Sequence, residues 1–314
     1  MENKGKNRED ARQLSTRKFS FSVGTGMEDS LLPGIVGRVS GGDTELYCAY
    51  VASPFRLLMD DRAARAEKER ALAGKAALLL SLGVEPVLAY DYTCFGDRHL
   101  TLSFQEKFAR MLDFARSCGI KGVLLSELYL AGTLSANVPP YSRLRGFDAY
   151  ISHRARISCA ARLDFLKDVP VRQITLHPGA LVDEEELERM VEAAGLSRLE
   201  APLNCGCPPL CPLETLCRAS LFHLLEEPPL PGENDSLQSY YQDRCREMRQ
   251  GEPAVAGHPF VILPSRLGVY LSAGISRFRV FNDPQSAEDL ERKLTPYVLG
   301  QDPGDPLSLA CLDC

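Results

Sequence analysis

The sequence predicts an α/β chain folded as a (β/α)8 barrel of the TIM type, with a cysteine-bearing excursion between strands 7 and 8. Three observations predict it. Short apolar or alternating segments recur along the chain, stretches of helical periodicity separate them, and the segments number eight, as a closed parallel barrel requires. The strands are expected over Phe19 to Val23, Glu45 to Tyr50, Glu85 to Tyr90, Gly122 to Ser126, Phe147 to Ser152, Arg172 to Leu176, Arg198 to Leu203 and Arg277 to Phe281.

The helices between them are clearest where an apolar stripe meets a recognisable end. Phe104, Phe108, Met111, Leu112 and Ala115 share one face of a helix over Phe104 to Cys118, with Ser103 as N-cap and Gly119 as the stop. Asp183 to Ala194 opens on an acidic turn, turns Leu187, Met190, Val191 and Ala194 inward, and ends at Gly195. Ser286, followed three residues later by Asp289, resembles a capping box and opens the last helix. Between Glu226 and Gly257 the rhythm breaks at Pro228, Pro229, Pro231, Gly232 and Pro253, which marks a long excursion before strand 8.

The 314 residues, 45% hydrophobic and 25% charged, suit one large core. The expected organisation is a disordered N-terminal segment over 1–18, a barrel over 19–300 and a C-terminal tail over 301–314. The net charge of -6 argues against non-specific binding to nucleic acid or a membrane surface, so an RNA substrate would need a local basic patch. Met1 to Lys18 has no apolar segment of the kind a signal peptide carries, and no apolar run approaches the roughly 20 residues of a spanning helix. A cytoplasmic protein without membrane insertion is expected.

Alternation along each strand says which side chains line the barrel, because successive residues face opposite sides. Leu199, Ala201 and Leu203 suit the helix-facing side, which turns Glu200, Pro202 and Asn204 inward. The same reasoning places Gln173, Thr175 and His177 inside, with Asp148, Tyr150 and Ser152, and with Arg277, Arg279 and Phe281. So polar an interior suggests a pocket. Barrels bind and react at the carboxyl ends of their strands, so Asp91, Glu127, His153, His177 and Asn204 are positional candidates.

Eleven cysteines cannot all pair within one chain, and with no export signal their thiols are expected to be reduced. Cys48, Cys118 and Cys159 sit among apolar neighbours and read as small buried hydrophobes. The run Asn204-Cys205-Gly206-Cys207-Pro208-Pro209-Leu210-Cys211-Pro212 is different, with Cys217 and Cys245 downstream. Several thiolates in a loop stiffened by prolines are what a tetrahedral zinc or an iron-sulfur cluster takes as soft ligands. Cys205, Cys207, Cys211, Cys217 and Cys245 are the candidate ligands. Cys311 and Cys314 read as part of a flexible tail.

The residues 198–212, Arg-Leu-Glu-Ala-Pro-Leu-Asn-Cys-Gly-Cys-Pro-Pro-Leu-Cys-Pro, resemble a strand ending in Asn and followed by two cysteines and a proline in the collagenase-like peptidase family of unknown catalytic type. Members of that family include proteins of oxygen-independent ubiquinone biosynthesis and of RNA hydroxylation. Phe260 to Val280 is similar to its closing unit, in which a proline-headed segment leads through a Tyr and a Gly-Ile to the last strand, and Val87 to Cys94 is like its third strand and loop. The resemblance implies a TIM-type barrel with an iron-sulfur cluster, 4Fe-4S in type, at the carboxyl ends of the strands. It carries over Cys207 and Cys211 as ligands and Cys245 as the downstream one, while Cys205, Cys217 and Cys94 compete for the fourth place. Zinc remains the alternative metal. The chain departs from the family at Arg279, where a Lys is frequent, at Asn282-Asp283, where Gly-Arg is common, and at Cys217, where many relatives have His.

The resemblance implies a redox enzyme supporting oxygen-independent hydroxylation of a small molecule or RNA. In that reading Arg279 binds an acidic group, His177, His153 and Asp91 position it or move protons, and Asn204 borders the cofactor. Peptidase activity rests on the family's name, since the sequence shows no Ser-His-Asp spacing and no His-Glu-x-x-His. A third reading is a non-catalytic, metal-containing subunit paired with a homologous protein.

Overall fold

A computed structural model of the chain describes residues 19–25, 29–53, 62–92, 95, 98–135, 142, 145–194, 199–205, 214, 243–244, 247, 261–282 and 286–310. Parallel strands close into one barrel in sequence order: β1 (Phe19–Thr25), β2 (Thr44–Ala52), β3 (Glu85–Tyr90), β4 (Gly122–Leu125), β5 (Asp148–Ile151), β6 (Val171–Thr175), β7 (Leu199–Pro202) and β8 (Arg277–Val280). β8 pairs with β1 to complete the ring. Every expected strand is present. Helices follow in alternation: α1 (Leu32–Val39), α2 (Arg62–Ser81), α3 (Leu102–Ser117), α4 (Leu128–Thr133), α5 (Ala160–Asp164), α6 (Glu184–Ala194), α7 (Leu267–Ser272) and α8 (Ala287–Leu299). Among the described residues no helix is long and apolar enough to cross a membrane.

Strand alternation divides the apolar residues into two clusters. The larger lies between sheet and helices and takes Phe147, Ala149, Ile151, Ile174, Leu176, Leu199, Ala201, Leu203, Phe278 and Val280, the side chains expected to face outward. The smaller fills the barrel with Cys48, Tyr50, Val87, Leu124 and Tyr150. Of the cysteines expected to be buried hydrophobes, Cys48 is fully buried in this interior cluster, while Cys118 and Cys159 are half-buried.

Two bulges interrupt the alternation. The β1–β2 register passes from Phe21↔Leu46 to Ser22↔Cys48, so Tyr47 is an extra residue in β2. A bulge sends two consecutive side chains to one face, and Tyr47 packs against the interior cluster beside Cys48. A second shift, between β5 and β6, skips Arg172.

Helix ends agree with local chemistry and correct one expectation. α3 starts two residues earlier than its stripe suggested, because Thr101, not Ser103, accepts the Phe104 N–H at 3.3 Å. Gly119 ends it at φ 86°, a left-handed conformation open to glycine without a Cβ penalty. Asp183 caps α6 through the Glu186 N–H at 3.0 Å, and Ser286 caps α8 through the Asp289 N–H at 3.0 Å. Gly195 and nearly all of the excursion over 226–257 lie outside the described residues, as do residues 1–18 and 311–314. The expected C-terminal tail is docked as far as residue 310: a 3-10 turn over Pro306–Leu309 follows α8, and Leu309 and Ala310 are buried.

Gly122 in β4 is required by close approach. A Cβ there would stand 2.5 Å from Cε2 of the buried Tyr150 ring, and a ring fixed in a packed barrel has nowhere to turn. Gly122→Ala is expected to lower stability by about 1–3 kcal/mol, the usual cost of overpacking, read as a shifted urea midpoint with an unchanged slope.

Candidate functional site

Beneath the mouth of the barrel lies one wholly buried carboxylate, that of Glu200 on β7. Tyr47 donates to its Oε1 at 2.7 Å, as does Ser22, and Thr175 donates to Oε2 at 2.5 Å, with Tyr50 farther off at 3.4 Å. Burial, then the neighbouring Cys48 and Glu200, pushes the Tyr50 phenol well above its ordinary value, so it stays protonated as a donor. Gln173 reaches Tyr50 at 3.4 Å, and Arg277 reaches Gln173 at 3.3 Å. Hydroxyl donors from β1, β2 and β6 thus converge on β7.

Above this layer the carboxyl ends of the strands bring together Arg279, Phe281, Asp91, His153 and Arg154. The buried Arg279 guanidinium lies over the Tyr50 ring at 4.2 Å and over the Phe281 ring at 4.7 Å. His153, also buried, meets Phe281 edge-on with centroids 4.7 Å apart, and its Nδ1 is 3.3 Å from the Ser152 hydroxyl. Arg154 binds the backbone oxygen of Asp91 at 3.1 Å and pairs with its carboxylate at 3.6 Å. Asp91 Oδ1 is buried and accepts no hydrogen bond among the described residues. Burial alone would raise the Asp91 pKa, but the charges of Arg154, His153 and Arg279 together hold it below the ordinary aspartate value. A carboxylate, two guanidinium groups and an imidazole therefore cluster at the carboxyl ends of β3, β5 and β8.

The other expected residues have defined local roles. His177 follows β6, and its Nδ1 accepts the Gly179 N–H at 3.0 Å, so the proton resides on Nε2, which donates to Glu214 at 3.0 Å. With both ring nitrogens engaged and the side chain buried, His177 joins the end of β6 to Glu214. Glu127 caps α4 through the Tyr129 N–H. Asn204 is fully buried and its amide is saturated: Nδ2 donates to the carbonyls of Phe281 at 2.7 Å and Leu309 at 2.8 Å, and Oδ1 accepts the Phe281 N–H at 2.7 Å. It ties β7 to β8 and to the C-terminal turn.

Of the expected thiol ligands, Cys205 is described. It is fully buried one residue past Asn204. Cys207, Cys211, Cys217 and Cys245 lie outside the described residues, as does Cys94. Among the described residues no group of three or more His, Cys, Asp or Glu side chains is arranged to hold a metal ion.

Sequence reasoning missed Arg154, Tyr50 and Glu214. Arg154 follows His153 in a His-Arg-Ala-Arg run after β5, and a basic run at a strand end was an available signal. Tyr50 follows from carrying the alternation through β2. Nothing in the sequence around Glu214 distinguishes it from a surface glutamate.

No protein-family model matches the chain, and no curated protein matches it significantly in sequence. Among solved structures it is similar to the U32 peptidase Mk0906, with a TM-score of 0.55 and 14% identity over 86% of this chain and 94% of that one. It also aligns with the tryptophan synthase A-subunit of Pyrococcus furiosus at a TM-score of 0.43, 10% identity and 84% and 86% coverage. With D-psicose 3-epimerase the corresponding values are 0.41, 11%, 81% and 98%. The first likeness shows the barrel fold.

Two outcomes follow from these contacts. Asn204→Ala leaves a buried N–H and two carbonyls without the partner they have in Asn204 and is expected to cost about 3 kcal/mol or more, at roughly 1–3 kcal/mol for each buried group left unsatisfied; thermal and urea unfolding measure it. Asp91, with its folded pKa below the unfolded value of about 3.9, contributes stability that is complete above that pH and is lost as pH falls through the folded pKa. Asp91→Asn should therefore flatten the acid limb of the stability curve below about pH 4 and leave its neutral-to-alkaline shape unchanged.

Proposed function

We propose that this protein is a barrel enzyme of the collagenase-like peptidase type. In this reading the carboxyl face binds an acidic small molecule or an RNA group beside an iron-sulfur centre and supports oxygen-independent hydroxylation or a related oxidation. The observation that carries the substrate half is the buried Arg279 fork layered on Tyr50 and Phe281, next to an ionised Asp91. A guanidinium in a low-dielectric mouth favours carboxylate or phosphate, because its planar donors match two oxygens at once. The ionised Asp91 carboxylate, steadied by Arg154, accepts a substrate N–H or O–H, and His153 is placed to hold or pass a proton.

Support for the metal half comes from donor chemistry. Cys205 places a buried soft ligand at the carboxyl end of β7, on the face where Arg279 and Asp91 lie, and the run that it opens is rich in thiols. Cys207, Cys211 and Cys245 would hold the group, with Cys205 or Cys217 completing the set. When bound, an iron-sulfur cluster supplies one-electron transfer. Zinc on the same thiols would instead make a structural site.

A second reading, proteolysis, draws on the fold shared with the U32 peptidase Mk0906. It would have to use Asp91 and His153 without a nucleophile beyond water.

Anaerobic purification followed by iron, acid-labile sulfide and zinc analysis tests the proposal. Stoichiometric iron and sulfide with broad visible absorbance are expected, and Cys207→Ala or Cys211→Ala should lower iron at least tenfold while Cys118→Ala and Cys159→Ala leave it unchanged. One zinc per chain, or neither metal, overturns the redox reading.

A further inference from the structure

We infer that Glu214 is a positioning residue that latches the cysteine-bearing run onto the barrel, with His177 and Arg156 as its receptors. The inference rests on the proposed role of that run in holding a metal. Glu214 stands midway between Cys211 and Cys217, three residues from each. Its side chain is 3% exposed and that of His177 is 7% exposed, so their contact is withdrawn from competing water.

The receptors are rigid for reasons independent of Glu214. His177 is held in one tautomer by the Gly179 N–H, and its own backbone N–H binds the Ile157 carbonyl at 3.0 Å, which joins the end of β6 to the loop after β5. That loop carries Arg156, whose Nε is 3.7 Å from the same Glu214 oxygen. Arg156 has φ 57° and ψ 40°, the one left-handed non-glycine among the described residues, and the guanidinium of Arg162 binds its carbonyl at 2.7 Å. Such a conformation persists only where its surroundings over-determine it.

Segments that follow three successive strands therefore meet at one carboxylate: Arg156 after β5, His177 after β6 and Glu214 after β7. The buried Glu214 carboxylate accepts the imidazole N–H in a charge-assisted bond, the strong kind, and the half-exposed Arg156 adds a looser ion pair. Fixing the middle of a run that Pro208, Pro209 and Pro212 already stiffen lowers the freedom its thiols must lose on taking up a ligand. A catalytic His-Glu dyad is the competing assignment, and it fails because neither imidazole nitrogen of His177 is left for a substrate.

The test is the iodoacetamide alkylation rate of each cysteine, by mass spectrometry, in the full-length chain with metal stripped by chelator. Glu214→Ala and His177→Ala are each expected to raise the rates of Cys211 and Cys217 tenfold or more, and the double variant no further than either single. Glu214→Gln keeps the shape and an acceptor for His177 but loses the charge, and should raise them at least threefold. Cys118 and Cys159, on other elements, report global unfolding, and if the alanine variants unfold the glutamine variant decides. Rates of Cys211 and Cys217 within twofold of wild type in a folded variant overturn the latch. Absence of metal from the wild-type chain, with the rates still rising, overturns the metal reading and leaves the latch standing.

Discussion

A carboxylate with no access to water at the centre of a closed barrel is the constraint on which the interior depends. Removing such a charge from solvent costs several kcal/mol unless hydrogen bonds replace its hydration. Glu200 meets that condition with hydroxyls drawn from three other strands. The β2 bulge belongs to the same solution, because without the extra residue Tyr47 would face the helices and one of the closest donors would be lost. Tyr50, which Glu200 steadies from below, is in turn the surface on which Arg279 lies. The mouth is thus built upward from this core layer, and Arg279 rests on a ring that the layer beneath holds.

The barrel was legible in the sequence because its signal is periodic and repeated eight times. Each strand alternates between a face that meets helices and a face that meets the lumen, so Leu199, Ala201 and Leu203 betray Glu200 without any knowledge of its partners. What periodicity cannot carry is a local exception to the period. The bulge at Tyr47 inserts one residue and leaves hydrophobic content unchanged, so nothing in the composition of β2 announces it. The start of α3 was missed for a similar reason: Thr101 and Ser103 are both competent caps, and the choice lies in the backbone path that precedes them.

The site was legible by position and illegible by partnership. Strand-end reasoning picked Asp91, His153, His177 and Asn204 with equal warrant, yet the structure gives them different work. Asn204 and His177 have every polar atom of their side chains engaged by the fold, Asn204 by backbone carbonyls and an N–H, His177 by Gly179 and Glu214. Asp91 keeps a buried oxygen outside the hydrogen-bond network of the described residues. The deciding partners come from distant points of the chain, since Glu214 is 37 residues from His177 and Leu309 is 105 from Asn204. No window along the sequence contains both members of either pair.

Arg279 shows how the layers decide chemistry rather than only shape. A lysine at this point of β8 would present a compact, strongly hydrated ammonium, and its attraction to a ring face depends on shedding that hydration. The guanidinium is planar and more weakly hydrated, so it can lie against Tyr50 and Phe281 while keeping its donors in one plane. Glu200 beneath Tyr50 and Asp91 across the mouth supply negative charge on two sides, which helps to make a buried cation tolerable. Under the proposed function such a site would favour a flat, two-oxygen anion over a spherical one, because the rings fix the plane in which the donors lie. In the proposed function, substrate selection would be a property of the stack as a whole, from Glu200 through Tyr50 to Arg279, with the arginine as its outermost element.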